Sequence, residues 1–187
     1  LLFLLDESDK DKGVNMKQFV FDKVLFKDST QADAWEAAGV PIVNSVLEGY
    51  TGCVMCYGQT GAGKSFTLAN EAKGQEGVMI RAFHHIFEKQ AESRDLKYEV
   101  YISYQQIYLD TITDLLNPGG HVEIREDPKT GVYVEGAKWE PVDNAEGAVK
   151  VLQKGNAARA TAATKMNSAS SRSHAALIVK IVTTGGT

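Results

Sequence analysis

The sequence predicts an α/β protein, a three-layer arrangement of a central sheet flanked by helices and organised around a phosphate-binding loop. Three observations carry that prediction. Gly58-Gln59-Thr60-Gly61-Ala62-Gly63-Lys64-Ser65 matches the pattern G-x-x-x-x-G-K-S/T in full. A short apolar run, residues 53–57, precedes it and reads as a buried strand, while a segment able to be helical follows. Elsewhere, β-branched and aromatic runs alternate with segments of helical apolar spacing.

The residue types of the loop follow from its chemistry. Glycines at 58, 61 and 63 allow positive φ and close approach of the backbone to a ligand. Successive N–H groups, those of Gln59, Thr60 and Ala62 among them, can then point inward as an anion-binding nest. A helix starting near Gly63 adds its positive end. Lys64 is a mobile charge for β- and γ-phosphates, and the Ser65 hydroxyl is placed for Mg²⁺, which shares oxygen ligands with phosphates. A chance match in a glycine-rich turn is the competing explanation, and the strand before and helix after argue against it.

Composition bounds the rest. A chain of 187 residues can bury a sizeable single core. Its 43% hydrophobic and 24% charged residues are ordinary globular values. A net charge of −4 gives no electrostatic reason to expect nucleic acid or an anionic membrane. No apolar run approaches a membrane span. Residues 1–5 are too short for a signal peptide and read as part of a strand. Cys53 and Cys56 form a C-x-x-C, but side chains three apart in a strand point to opposite faces, and no second ligand pair completes a zinc site. Two thiols without a disulfide framework fit a reducing, cytosolic compartment.

In chain order, residues 6–12 are charged and read as a loop, with short strands at 19–21 and 24–26. Thr30 with Asp33 signals a capping box. The helix that follows carries Trp35, Ala38, Ile42 and Val46, is kinked or weakened at Pro41, and closes at Gly49 and Gly52. Beyond Leu68, Gly74 and Gly77 break the helical pattern, which resumes through Met79, Ile80, Phe83, Ile86 and Phe87. Residues 98–108 read as a strand. Ile112, Leu115 and Leu116 suggest a short helical turn ended by Pro118-Gly119-Gly120. Residues 122–126 and 132–134 suggest a hairpin. Asn144 caps a helix carrying Ala145, Ala148, Val149 and Leu152, predicted to end at Gly155. Residues 175–182 form the last apolar run, predicted as a buried strand.

A second constellation, Asn167-Ser168-Ala169-Ser170-Ser171-Arg172-Ser173-His174, lies between that helix and the last strand. A serine-rich stretch is ordinarily a loop. Here the hydroxyls of Ser170 and Ser171 can meet a γ-phosphate or its metal, and Arg172 can pair with a carboxylate or with transferring charge. Asn167 offers a donor and an acceptor. Beside a phosphate loop, this is the chemistry of a switch ordered by a γ-phosphate. His174 has no evident acidic partner for triad chemistry.

The two constellations together resemble the phosphate loop and first switch of kinesin motor domains, which have a three-layer P-loop NTPase fold. Phe19-Val20-Phe21-Asp22-Lys23-Val24, Ser45-Val46-Leu47-Glu48-Gly49-Tyr50-Thr51-Gly52, Ile107-Tyr108-Leu109-Asp110 with Asp114-Leu115-Leu116, and Gly155-Asn156-x-x-Arg159 with Ala162-Ala163-Thr164 resemble further signatures of that family. The resemblance implies ATP and Mg²⁺ as cofactors, the microtubule as partner, a cytoplasmic and cytoskeletal location, and microtubule-stimulated ATPase activity. It implies that Lys64 contacts the β- and γ-phosphates, Ser65 and Ser171 hold Mg²⁺, Ser170 positions the attacking water, Arg172 closes the site with Asn167 beside it, and Phe66 lies against adenine. Arg125, Lys129 and Lys138 fall in or beside the hairpin that in kinesins contributes a minor tubulin contact, with a solvated surface charge as the alternative for each. Gln106 stands where the family usually has Glu, and Ile80 where it often has Pro.

The resemblance also implies that residues 1–187 form part of a motor domain and are inactive in isolation. The Arg-x-Arg-Pro strand, the second switch Asp-x-x-Gly-x-Glu, the main microtubule-binding helices and the neck linker are all missing from the 187 residues. It implies too that 53–57 and 175–182 are not neighbours in the sheet. Two other readings fit the same residues: a kinesin-like module that binds nucleotide or tubulin without hydrolysis, and an unrelated phosphate-loop kinase or ATPase.

Overall fold

A computed structural model describes residues 2–6, 15–93, 95–129, 131–165 and 173–185, and their side chains except at 2–6, 15–18 and 163–165. The main sheet is built on β3 (Leu96–Tyr108), the aromatic and β-branched run. Tyr98, Val100, Ile102 and Tyr104 recur every second residue along it and are all buried, as one core-facing side of a strand requires. On one edge, β8 (His174–Gly185) pairs antiparallel with β3, from Leu96 opposite Gly185 to Ile107 opposite His174. On the other edge two short strands lie end to end. These are β7 (Glu140–Val142), with Val142 opposite Val100, and β4 (Thr111–Asp114), with Asp114 opposite Gln105.

Two helices supply most of the apolar cover. α4 (Val78–Glu92) buries Val78, Ile80, Phe83 and Ile86. α5 (Ala145–Lys165) buries Ala145, Ala148, Val151 and Leu152. Ala175, Leu177, Val179 and Ile181 of β8 pack on the same core, while Ala176, Ile178 and Lys180 between them are exposed. The run 175–182 is therefore the expected strand, but buried on one face only.

The expected capping box opens the first helix. The Asp33 N–H donates to Thr30 Oγ1 at 3.2 Å, and the Thr30 N–H and hydroxyl donate to the Asp33 carboxylate at 2.7 and 2.8 Å. The helix comes in three pieces: α1 (Gln31–Ala34), a π-helical turn (Trp35–Gly39) and α2 (Val40–Leu47). Pro41 explains the turn. A proline has no N–H for the carbonyl four residues back and its ring collides with it. One widened turn, in which the Val40 N–H reaches the Trp35 carbonyl, absorbs the conflict.

Several expectations are corrected. The first strands are β1 (Leu2–Asp6) and β2 (Asn15–Phe19); their register pairs Phe19 with Leu2, and Val20, Phe21 and residues 24–26 lie outside any strand. Ile112 belongs to β4 rather than a helical turn, because Leu109 and Asp110, at φ 46° and 59°, turn β3 back on itself as a hairpin. The hairpin of β5 (Glu123–Asp127) and β6 (Gly131–Glu135) is as expected. α5 starts under Asn144, whose Oδ1 accepts from the Gly147 N–H at 2.8 Å, but it runs through Gly155 to Lys165. Residues 53–57 form no strand: among the described residues nothing pairs with them, and Met55 and Tyr57 are 80% and 96% exposed. They do not pair with β8, as the resemblance implies. Among the described residues no helix is long and apolar enough to cross a membrane.

Candidate functional site

The glycine loop leads into α3 (Lys64–Ala69). Gly63 is its N-cap at φ 87°, a left-handed conformation that favours glycine, and Gly61 sits at φ 84°. The Ala62 N–H closes a turn onto the Gln59 carbonyl at 3.2 Å, and the first helical bond runs from the Thr67 N–H to the Gly63 carbonyl at 2.8 Å. The half-buried Lys64 folds its ammonium over this loop, donating to the carbonyls of Gly58 and Gln59 at 2.7 Å each. Gln59, Thr60, Gly61, Ala62, Ser65 and Phe66 are exposed. A charged donor held at the loop, the exposed Ser65 hydroxyl beside it and open space beyond Gly61 and Gly63 suit a polyphosphate with a hard cation.

Behind the loop, Cys56 is half-buried and Cys53 exposed, both as free thiols. Burial pushes the Cys56 thiol up, and the nearby Lys64 charge partly offsets that. Among the described residues no group of His, Cys, Asp and Glu is placed to hold a metal ion.

Asn167, Ser170, Ser171 and Arg172 lie outside the described residues, but their flanks are defined. Arg159 of α5 donates to both the carbonyl and the hydroxyl of Ser173, at 3.2 Å each, just before β8. One turn earlier, the Tyr104 hydroxyl donates to Asn156 Oδ1 at 3.0 Å. Burial pushes the Tyr104 phenol up, with the Arg159 guanidinium pulling it back. Gly155 lets the helix come this close, since a Cβ there would stand 2.1 Å from the Tyr104 ring. The signature Gly155-Asn156-x-x-Arg159 is thus one set of contacts joining α5, β3 and the start of β8.

Sequence reasoning missed Gln31. It is buried, and its Nε2 donates to the Phe66 carbonyl in α3 at 2.6 Å. No periodicity marks it, because it sits one residue inside the helix start, where polar residues are normal.

A family model described as "Kinesin motor domain" matches residues 4–186. The chain belongs to the kinesin motor-domain family. It is 40% identical over 169 residues to the mouse (Mus musculus) kinesin-like protein KIF3C, covering 88% of this chain and 21% of that protein. It is 41% identical over 177 residues to the kinesin-like protein KIN-UA of Oryza sativa subsp. japonica, covering 92% of this chain and 18% of that one. A solved structure of a fast kinesin superposes with a TM-score of 0.87 at 36% identity, over 91% of this chain and 49% of the other. The chain therefore has the α/β P-loop fold of that family, and spans about a fifth of the length of these curated relatives.

Within the kinesin frame, the departures become specific. Ile80 is a core residue of α4. Gln106 is buried in β3, and its Oε1 has no hydrogen-bond partner among the described residues. Asp110 is an exposed residue of the β3–β4 turn. Of the three cations in or beside the hairpin, two are paired within the chain: Arg125 with Glu123 and Glu135 at 2.6 and 3.1 Å, and Lys138 with Glu140 at 2.7 Å.

Proposed function

We propose that this chain carries the nucleotide-binding part of a kinesin motor, an ATPase that couples hydrolysis of MgATP to binding of, and movement along, microtubules in the cytoplasm. The observation that supports this best is the Lys64 ammonium held by the Gly58 and Gln59 carbonyls within the glycine loop. Those neutral acceptors keep the charge at the loop until phosphate oxygens replace them. An ammonium is drawn more strongly to a phosphate oxygen carrying negative charge than to a neutral carbonyl, so the exchange favours binding.

In this reading MgATP, when bound, supplies the phosphoryl bond that is cleaved. Gly58, Gln59, Thr60, Gly61, Ala62 and Gly63 wrap its phosphates with backbone N–H groups. Lys64 holds the β- and γ-phosphates, and the hydroxyls of Ser65 and Ser171 hold the metal. Phe66, whose ring is half exposed, offers a face for adenine. Ser170 orients the attacking water, and Arg172 with Asn167 closes the switch around the γ-phosphate.

Lys64→Ala in the full-length protein is expected to abolish MgATP binding by calorimetry. Unchanged affinity overturns the assignment of the loop. Intact MgATP binding in the wild type without microtubule-stimulated phosphate release would favour a non-hydrolysing kinesin-like module instead.

A further inference from the structure

Gln31 is only 7% exposed, a burial unusual for glutamine. It is the first residue of α1, set in place by the Thr30–Asp33 capping box. Its side chain crosses 35 positions of sequence to reach the carbonyl of Phe66. That carbonyl needs a donor. The last four carbonyls of any α-helix lack an in-helix N–H. In α3 the regular donor to Phe66 is the Asn70 N–H, and among the described residues this C-cap N–H makes no hydrogen bond to the Phe66 carbonyl. The Gln31 amide takes that place. The same end of α3 is braced from α4: the Gly77 N–H donates to the Asn70 carbonyl at 2.9 Å, and a Cβ at Gly77 would meet the Leu68 carbonyl at 2.6 Å. A six-residue helix is too short to hold itself. Its first turn is Lys64 and Ser65, so whatever fixes its last turn also fixes them.

We propose that Gln31 is a positioning residue for nucleotide binding, acting through the Phe66 carbonyl to set where α3 presents Lys64 and Ser65. The proposal rests on the reading of residues 58–65 as the nucleotide site. Both MgATP and MgADP carry a β-phosphate, so loss of the anchor weakens both in similar proportion. The loss is read first in the affinity for both nucleotides and in KM.

The test uses full-length protein and two substitutions, with Lys64→Ala in parallel. Gln31→Met keeps the shape and removes the donor. It is expected to weaken MgATP and MgADP by about 3- to 10-fold, the worth of one hydrogen bond. Gln31→Glu keeps the size and sets a carboxylate against the carbonyl. It is expected to weaken binding further at pH 8 and to recover toward wild type as the pH is lowered, because a protonated carboxyl can donate again. A side chain that only fills space shows no such recovery. If Lys64→Ala binds normally, the site reading falls, and the Gln31 proposal with it. If Lys64→Ala loses binding while Gln31→Met stays within two-fold of wild type, or Gln31→Glu shows no pH recovery relative to wild type, the Gln31 proposal alone is overturned.

Discussion

Gly155→Ala tests the packing that joins α5 to the sheet. Glycine in a helix interior normally costs about 0.8–1.0 kcal/mol relative to alanine, so the substitution should stabilise an unconstrained helix. Here the new Cβ would lie 2.1 Å from Cδ1 and 2.8 Å from Cε1 of Tyr104. Non-bonded carbons settle at about 3.5–4.0 Å. The ring cannot simply turn away, because Tyr104 is buried and its hydroxyl is tied to Asn156. Overpacking costs about 1–3 kcal/mol, and loss of the tyrosine hydrogen bond about 0.5–1.5 kcal/mol. Set against the propensity gain, the net loss is about 0.5–3.5 kcal/mol. Gly147→Ala in the same helix is the control: its Cβ would meet Asn144 Oδ1 at 3.4 Å and Val142 Cβ at 3.9 Å, which is ordinary contact. It should be neutral or stabilising by up to about 1 kcal/mol. The assay is the unfolding midpoint of the motor domain in full-length protein, where 1 kcal/mol corresponds to about 2–4 °C. A Gly155→Ala protein as stable as Gly147→Ala would refute the close packing of α5 on Tyr104.

Arg172→Ala is expected to leave MgATP affinity within a few-fold of wild type and to remove most turnover, because a switch contact forms mainly in the closed state; steady-state rates that barely change would remove Arg172 from the switch. Hydrogen bonds from Thr30 hold the Asp33 carboxyl below its ordinary range, the backbone N–H more than the hydroxyl. The folded value is the lower one, so its contribution is present above the ordinary aspartate value and lost as the pH falls through the folded value. Urea midpoints of wild type and Asp33→Ala should therefore differ at pH 7 and converge in acid; a gap that persists there would mean the carboxylate is not the capping group.

What was legible in the sequence was local. The Thr30–Asp33 box, the Asn144 cap, the hairpin turn between β5 and β6 and the glycine loop each have their cause within a few residues. What was not legible depended on a distant neighbour. Gly155 reads as a helix end because glycine often closes helices. Its reason for being there is Tyr104, which comes close only in the folded chain. Gln31 reads as one more polar residue near a cap, and its partner lies on another helix. Ile112 has the spacing of a helical turn, but the reversal at Leu109 and Asp110 lays it on β3.

Residues 53–57 show where a periodic signal and a fold part company. Apolar runs report burial, and a strand also needs a ladder. Val54 and Cys56 are half-buried, with Val54 packed on the core, while Cys53, Met55 and Tyr57 between them are exposed. The period of two that marks a strand is therefore present in the burial of the segment. No described strand runs beside it, so its backbone groups have no ladder partner among the described residues. Burial on one face comes from side chains meeting the core and is written in the segment itself. The ladder needs a second segment, and the sequence of the first cannot specify which one. The same separation explains β8, whose alternate residues pack on the core while Ala176, Ile178 and Lys180 face outward. In both segments the sequence reads as a buried strand, and the structure packs one face of each. The apolar run overstates burial because an apolar residue on the opposite face, Met55 or Ile178, reads the same in sequence whether or not a layer covers it.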